Sequence, residues 1–388
     1  MSRSVWGYRG MPDLGVVAVT GFSGYAVLLT TAPLWAVHGG ASEAGAGLVN
    51  GVLLSATVLA QLLVPRALRR WGTGPVLCVG LLLLGAPAPA YLLDEGLALN
   101  LLISGVRGAG FGILTVTGSA ATAHLVPPAR RGAAIGAFGL CVAIPNLALL
   151  PASVPLVERW GFTPVFLTAA LPVLGVPAAL RLGRALLEGG HDRPDPDEAT
   201  PGRRALLAIV APTLVLFAVT MAGGAIISFA PQFTSPGTAA LALLLLGATS
   251  ALSRWLIGSV ADRLGARQFL APLLGLAAVA TAACAWAIHA EHAVALVAAA
   301  TTLGLSYGAL QNLTLVVAFA SVAAHQVPAA SAGWNIGFDA GTAVGSVVAG
   351  VIAATYGFPV ALAVMAAGCA VAVCAVGFTR ADSRGRAI

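Results

Sequence analysis

Twelve apolar segments follow one another along this chain, and each is long enough to cross a membrane. A helix needs about 20 consecutive apolar residues to span the hydrocarbon core of a bilayer. Of the 388 residues, 59% are hydrophobic and only 9% are charged, whereas soluble proteins carry about 25% charged residues. This composition excludes a soluble enzyme and predicts an all-α polytopic membrane protein with 12 transmembrane helices. The predicted segments are 14–37, 44–65, 75–93, 97–123, 132–154, 163–186, 204–230, 237–260, 268–289, 293–320, 331–355 and 356–379.

The arginines predict the orientation of these helices. All 20 basic residues are arginine, and 18 of them fall at helix ends that share one side if the N-terminus is cytoplasmic. Short loops rich in arginine stay on the cytoplasmic side. We therefore expect a multi-pass protein of the cytoplasmic (inner) membrane with both termini inside. The first segment is longer than a signal-peptide core and lacks a clear cleavage site, so we expect it to be retained.

Charge and cysteine content argue against other binding functions. The net charge of +6 follows from the arginines that set the topology, and we expect no nucleic-acid partner. The five cysteines lie inside apolar segments without a CxxC pair, so neither a disulfide framework nor a zinc site is expected. We also expect no metal and no cofactor. The expected partners are a small-molecule substrate, protons and the lipid bilayer.

The polar stretch 187–203 falls near the middle of the chain and predicts a cytoplasmic linker between two six-helix bundles, 1–186 and 204–388. Short sequence frames recur in the two parts. The frame Arg-x-Gly ends at Gly72 and again at Gly265, 193 residues later, and a Gly-Phe pair begins at Gly161 and again at Gly357, 196 residues later. This repetition predicts a duplicated bundle with a substrate path between the repeats, near the bilayer midplane.

Three motifs resemble the major facilitator superfamily. Gly258-Ser-Val-Ala-Asp262-Arg263-Leu-Gly265-Ala-Arg267 resembles the loop signature G-x-x-x-D-R-x-G-x-R of that family, and Arg107, followed by alternating glycines, resembles its fourth-helix motif. The segment 126–132, which opens helix five, extends the resemblance over essentially the whole chain. The resemblance implies two pseudo-symmetric six-helix bundles that transport a substrate by alternating access, and a monomer.

Two regions depart from the family pattern. The first-half loop has Pro65 and Arg69 where the family has Gly and Asp, so the Asp-based latch of that half is absent. The glycine-spaced exporter signature of helix five is present only in part, as Gly136, Gly139 and Pro145. The departure in helix five weakens a prediction of antiport.

Asp339 is the one acidic residue of 14 that falls well inside a predicted span. A charge at a helix centre costs about 2.5–3.5 kcal/mol or more, so Asp339 predicts a site of proton binding and release. A structural carboxylate held by neighbouring hydroxyls or an arginine is an equal alternative.

The helix that contains Asp339 has a glycine stripe, which permits close helix contact, and a polar stripe that we expect to face a water-accessible cavity. The glycines are Gly333, Gly337, Gly341 and Gly345, and the polar residues are Asn335, Asp339, Thr342 and Ser346.

Arg107 is the basic residue that we expect deep in a span. A guanidinium does not deprotonate in proteins, so its predicted roles are attraction of an anionic substrate group or electrostatic tuning of a proton site. The alternative is a structural role, in which it bonds backbone carbonyls or other internal polar groups. Hydrogen-bonding side chains in other helices are candidates for substrate binding or for interhelical packing. These further candidates are Tyr25, Asn50, Tyr307, Gln311 and Asn335, and Asp339 is a substrate-binding candidate as well as the proton site.

The loop motif of the second half predicts a mechanical role. An aspartate beside helix ends can pair with an arginine and close one side of the transporter, so that breaking the pair shifts the balance of conformations. A loop that only sets topology is the alternative. The predicted gating residues are Gly258, Asp262, Arg263, Gly265 and Arg267.

Together these features predict a secondary active transporter rather than an enzyme. The chain contains no lysine and no phosphate-binding G-x-x-x-x-G-K-[ST] loop, which argues against direct use of ATP. We expect proton-coupled export of a metabolite or antibiotic, on the resemblance to short bacterial drug and metabolite exporters. Proton-coupled uptake of a small organic anion or zwitterion, or a transporter-like receptor, is the alternative.

Overall fold

The computed structural model describes residues 4–41, 43–189 and 203–385, and within these ranges twelve helical spans are long and apolar enough to cross a membrane. The prediction of an all-α membrane protein is confirmed. A helix bonds its backbone N–H and C=O groups internally, which is what a lipid environment requires. The spans are numbered α1–α12 in chain order: Met11–His38, Glu43–Trp71, Thr73–Leu93, Leu97–Leu125, Arg131–Trp160, Phe162–Glu188, Arg203–Phe233, Pro236–Leu264, Arg267–His289, Ala293–Ala320, Ala324–Ala353 and Thr355–Val373.

Two motifs that the sequence predicted to lie in loops are helical. Helix α2 continues to Trp71 and α8 continues to Leu264, each several residues beyond the predicted end. Leu68 and Ala261 lie in these extensions and are buried in core clusters. The loop prediction was wrong because apolar residues at helical spacing continue to pack past the arginines, and only one or two residues are left to make the turn.

Glycines with a positive φ lie at equivalent places in the two halves, directly after α2, α5 and α8 and at a kink near the start of α12. Gly72 has φ of 77° and Gly265 has φ of 88°, while Gly161 has φ of 76° and Gly357 has φ of 81°. Residues with a Cβ atom rarely adopt such angles. The paired sequence frames therefore also share backbone geometry, which supports the predicted duplication.

Close helix contacts are also repeated. Four glycines of α4 and α10 lie so near a carbonyl oxygen of the neighbouring helix that a Cβ atom would overlap it. The glycines of the two halves are 196 residues apart, and the residues that supply the oxygens are 193 apart. The pairs are Gly108 with Leu53, Gly112 with Thr57, Gly304 with Leu246 and Gly308 with Ser250. Helices α2 and α4 therefore pack as α8 and α10 do.

Replacing Gly308 with alanine is expected to destabilise the protein, because the new Cβ would overlap the Ser250 carbonyl oxygen. Overpacking of this kind costs about 1–3 kcal/mol. Gly275→Ala is the matched control, since a Cβ on Gly275 of α9 meets nothing within 4 Å. Thermal unfolding of the purified protein in detergent, followed by tryptophan fluorescence, compares the two variants. Equal unfolding temperatures of the Gly308→Ala and Gly275→Ala variants would contradict the close contact between Gly308 and Ser250.

The chain divides into two compact units. In the first, aromatic residues such as Trp35, Tyr91 and Phe166 form part of the core. In the second, apolar residues of α7, α8, α9, α10 and α12 form the core. The predicted linker lies largely outside the described residues, and the division into bundles 1–186 and 204–388 stays a prediction. The first unit comprises Met1–Pro128, Leu140–Thr200 and Ala324–Asn335, and the second comprises Ala129–Gly139, Pro201–Ala323 and Ile336–Ile388.

Candidate functional site

Asp262, near the end of α8, binds the first turn of α5. Its carboxylate oxygens accept hydrogen bonds from the backbone N–H groups of Gly132, at 2.8 Å, and Ala133, at 3.0 Å. The first N–H groups of a helix have no partner within the helix, and a negative charge there is stabilised by the helix dipole. The sequence predicted an ion pair with arginine. Arg130 does act electrostatically on the carboxylate, and the structure adds a direct contact of the carboxylate with a helix N-terminus.

Two glycines allow the contact between the end of α8 and the start of α5 to form; we call this contact the α5–α8 junction. Gly132 of α5 and Gly258 of α8 approach so closely that a Cβ on either would overlap the carbonyl oxygen of the other. Asn312 of α10 then donates to the carbonyl oxygens of Gly132, at 3.1 Å, and Arg254, at 2.8 Å. The start of α5 is therefore joined to both α8 and α10.

The other predicted gating residues surround this junction. Gly265, with its positive φ, ends α8. Arg267 donates from Nη2 to the Ser321 hydroxyl at 3.1 Å and so joins the start of α9 to the end of α10. Arg263 is exposed. The motif thus combines one helix-capping acid with residues that shape the adjoining turn.

The glycine stripe of α11 packs on α7, as the sequence predicted for a close helix contact. Side-chain or backbone atoms of α7 occupy the space that a Cβ atom would need on each of three glycines. The pairs are Gly337 with Thr213, Gly341 with Thr220 and Gly345 with Met221.

Another face of α11 meets Tyr307 of α10. The hydroxyl groups of Tyr307 and Thr342 share a hydrogen bond, and Tyr307 interacts electrostatically with Asp339. The ring centroids of Tyr307 and Phe338 are 6.3 Å apart. The structure therefore brings together two predicted site residues, Tyr307 and Asp339, from different helices.

Arg254 of α8 joins the same group. Its Nη1 donates to the Gln311 Oε1 at 2.8 Å, and its charge also interacts with Tyr307. Tyr307 and Gln311 are 6% and 5% exposed, so these interactions act where water screens little. We refer to Arg254, Tyr307, Gln311, Asp339 and Thr342 as the second-half cluster.

Arg107 is bonded to fixed backbone groups. Its Nη1 donates to the Leu84 carbonyl oxygen at 2.5 Å and its Nη2 to the Gly24 carbonyl oxygen at 2.7 Å. The side chain is only 1% exposed. These contacts tie α4 to α3 and α1, and they match the structural alternative considered for Arg107.

Replacing Arg107 with lysine is expected to lower stability with little effect on substrate affinity. A lysine keeps the charge but is a single point donor, whereas the guanidinium fork binds two carbonyls at once. Losing one bond to a charged donor costs about 1.5–3 kcal/mol. Thermal unfolding and the substrate KM of the same preparation test this, and an unchanged midpoint with a raised KM would contradict it.

Three other candidates make interhelical contacts in the first unit. Tyr25 is half-buried and stacks on Phe111, with ring centroids 3.8 Å apart. Asn50 donates to the Leu29 carbonyl oxygen at 2.9 Å. Asn335 donates to the Ser119 hydroxyl at 3.2 Å. Substrate binding by Tyr25, Asn50 and Asn335 stays a prediction.

A cavity of about 420 Å³ lies at the other end of α8, lined by residues such as Ser235, Glu291 and His292. None of the predicted site residues lines it. Among the described residues no group of three or more His, Cys, Asp or Glu side chains forms a metal-binding arrangement.

The role of Arg254 was missed from the sequence, where it was counted with the arginines at the cytoplasmic ends. The signal was present in the repeat. Arg254 follows Gln61 by 193 residues, the offset between Gly72 and Gly265, and Gln61 falls inside a predicted span. The predicted span 237–260 already contained Arg254, as 44–65 contained Gln61, so Arg254 could have been counted inside α8.

Comparisons with known proteins agree with this architecture. The sequence model of the Major Facilitator Superfamily matches residues 14–322 and 208–387, and no curated protein matches the chain. Among solved structures, the chain is similar to the proton:xylose symporter XylE bound to 6-bromo-6-deoxy-D-glucose, at 14% identity and a TM-score of 0.71, over 94% of each chain.

Two further structures share the fold. The E. coli fucose:proton symporter FucP is 15% identical, with a TM-score of 0.69, over 97% of this chain and 99% of FucP. A bacterial homologue of the iron transporter ferroportin, in an outward-facing state, is 15% identical, with a TM-score of 0.74, over 95% of this chain and 98% of the homologue.

The twelve spans and these matches define a multi-pass membrane protein with a transporter fold. The chain belongs to the Major Facilitator Superfamily.

Proposed function

We propose that the protein is a proton-coupled secondary active transporter that moves a small organic molecule across the cytoplasmic membrane by alternating access. The observation that carries the proposal is the second-half cluster, in which Asp339 lies inside a span beside Tyr307, a residue that also interacts with the charge of Arg254. A carboxyl group there can bind and release a proton, whereas a guanidinium does not. Buried ionisable groups in membrane proteins commonly mark proton or substrate paths.

Two other observations support the coupling and the site. XylE and FucP, which share the fold, are described as proton symporters. Tyr307 and Gln311 supply hydrogen-bonding groups on α10, where Tyr307 meets Asp339 and Gln311 meets Arg254. In this proposal Asp339 is the proton site, Tyr307 and Gln311 bind substrate, and Arg107 holds helices together.

Export of a metabolite or antibiotic is the proposed direction, on the sequence resemblance to short bacterial exporters. Uptake of a small organic anion or zwitterion is the second candidate. Arg254 favours the anionic substrate of this second candidate, because a guanidinium inside a span attracts an anionic group.

The contact of Asp262 with α5 is the proposed gate. It joins the end of one helix to the start of another by charge-assisted hydrogen bonds, and such a contact can form in one conformation and break in the other. The proposal places this gate on the cytoplasmic side, with both termini inside and the protein monomeric. The distribution of 17 of the 20 arginines, without Arg254, supports this orientation.

Proton movement in proteoliposomes tests the proposed function. Purified protein is reconstituted with a pH-sensitive dye inside, and organic anions, zwitterions, neutral compounds and cationic drugs are added in turn. We expect at least one compound to drive a proton flux that protein-free vesicles lack. Counterflow of a labelled substrate separates a transporter from a receptor, since a receptor binds without translocation. The absence of both flux and counterflow would overturn the proposal.

A further inference from the structure

Arg254 lies deep inside α8 rather than at its end. Ten residues separate it from Leu264, which is about 15 Å of helix at 1.5 Å per residue. A permanent charge at this depth is costly in free energy. The guanidinium is therefore expected to serve either helix packing or substrate binding.

The equivalent site in the first half has the same hydrogen bond without the charge. Gln61 precedes Arg254 by 193 residues and Thr115 precedes Gln311 by 196, the offsets of the repeated glycine contacts. Gln61 donates from Nε2 to the Thr115 hydroxyl at 3.3 Å, and Arg254 donates from Nη1 to the Gln311 Oε1 at 2.8 Å. Two neutral side chains are sufficient to join α2 to α4. Because α8 packs on α10 as α2 packs on α4, the packing of α8 on α10 does not require a guanidinium either.

The two arginines inside spans, Arg107 and Arg254, have different kinds of partner. Arg107 bonds backbone carbonyl oxygens of α1 and α3, which move only if those helices move. Arg254 bonds the side-chain amide of Gln311, which can rotate away. Arg254 is also half-buried, whereas Arg107 is 1% exposed. A substrate oxygen can therefore replace the Gln311 amide oxygen at Arg254 without moving a helix. It cannot replace the backbone partners of Arg107 in this way.

Neighbouring residues hold the Arg254 side chain in place and determine which charges it interacts with. Gly139 of α5 packs against its side chain so closely that a Cβ there would overlap it. Tyr307 on α10 interacts electrostatically with both Arg254 on α8 and Asp339 on α11. Helix α7, which packs against the glycine face of α11, presents Thr213, Phe217 and Thr220 to that helix.

We infer that Arg254 binds the carboxylate of a small organic monoanion, with Gln311 and Tyr307 as hydrogen-bonding neighbours. This inference rests on the proposed function and names the substrate class of the same site. A guanidinium matches a carboxylate in both charge and fork geometry. When Asp339 is protonated the cluster carries one net positive charge, which a monocarboxylate neutralises.

Proton binding and substrate binding then support one another. In this proposal ionised Asp339, which like Arg254 interacts with Tyr307, offsets the positive charge of the cluster, so a substrate carboxylate is attracted weakly. Protonation of Asp339 removes that competing negative charge and raises the affinity for the anion. By linkage the bound anion raises proton affinity to the same degree. The expected cycle carries one proton with one monoanion in the same direction and moves no net charge, which corresponds to the uptake candidate of the proposed function.

Matched pairs of acids and amides test the substrate class. Binding of benzoate, lactate and mandelate, and of their uncharged amides, is measured by thermal stabilisation of the purified protein at pH 6 and pH 8. Flux of the labelled compounds is then measured in proteoliposomes. These acids stay ionised at both pH values, so a pH effect comes from the protein. We expect at least one acid to bind more tightly than its amide, and more tightly at pH 6 than at pH 8.

Arg254→Gln is the informative variant, because it recreates the neutral side chain found at Gln61 in the first half and is expected to fold. We expect the acid to bind about 10-fold to 100-fold more weakly, while the amide is unaffected. Arg159→Gln, which removes an exposed arginine at the end of α5, is the matched charge control. Asp339→Asn is expected to abolish the pH effect on acid binding.

The outcomes separate this inference from the proposed function. Proton-coupled flux of neutral or cationic compounds, without binding of any acid, overturns the carboxylate site and leaves the transporter proposal standing. Binding of acids through Arg254 without flux of any compound supports the site and overturns the transporter proposal. Equal binding of acid and amide by the unmodified protein also overturns the carboxylate site.

Discussion

Asp339→Asn is expected to abolish proton flux and uphill accumulation of substrate while preserving substrate counterflow. Asparagine has nearly the same shape as aspartate and can keep hydrogen bonds to its neighbours, but it cannot ionise. Exchange of substrate between the two sides requires only the loaded carrier to change conformation. Accumulation against a gradient also requires the proton, so it should fall to the level of protein-free vesicles.

The measurement combines an internal pH dye with labelled substrate in the same proteoliposomes. Glu158→Gln, at an exposed position near the end of α5, is the matched control and should retain full coupling. If Asp339→Asn kept a substrate-dependent proton flux, Asp339 would be a structural carboxylate. Loss of counterflow as well would assign Asp339 to substrate binding rather than to the proton path alone.

Asp262→Ala is expected to shift the conformational equilibrium strongly toward a state in which the start of α5 is accessible. The change removes two charge-assisted hydrogen bonds, to the N–H groups of Gly132 and Ala133. Hydrogen bonds to charged groups contribute about 1.5–3 kcal/mol each, and about 1.4 kcal/mol changes an equilibrium tenfold. A population shift of at least about tenfold is therefore expected, with a matching fall in transport rate.

Labelling of a single cysteine measures this shift. The native cysteines are replaced, Ala134, which is 0% exposed, becomes cysteine, and the labelling rate with a water-soluble maleimide is compared. Asp13→Ala is the control, because Asp13 accepts from Arg181 at 2.7 Å at the surface and such pairs contribute about 0–1 kcal/mol. Equal labelling rates in Asp262→Ala and Asp13→Ala would show that the capped helix end is not a gate.

The apolar segments predicted the helices because length and hydropathy alone decide whether a segment can cross a membrane. The ends were harder to predict. The sequence placed the end of α8 at residue 260, while the helix continues to Leu264, since a helix end depends on which residues find tertiary contacts. The polar segments at the ends of α2 and α8 were therefore predicted to be loops, although they are helical up to a short turn.

The chemistry of the site was predicted unevenly. Asp339 was found because a lone acid inside a span is conspicuous in the sequence. Arg254 was not, because other arginines and a short turn follow it, so composition grouped it with the topology signals. The partner of Asp262 was also missed, since a backbone N–H group at a helix start has no residue type that sequence inspection can recognise.

The glycine contacts between α8 and α10 limit which parts of the protein can change during a transport cycle. With the backbones touching at Gly304 and Gly308, neither helix can slide or rotate on the other without a steric overlap. The backbones at Arg254 and Gln311 should therefore keep the same separation in both access states. A substrate would meet the same pair of groups whichever side it entered from, and its affinity would be changed by α5 and α11, the helices that carry Gly139 and Asp339.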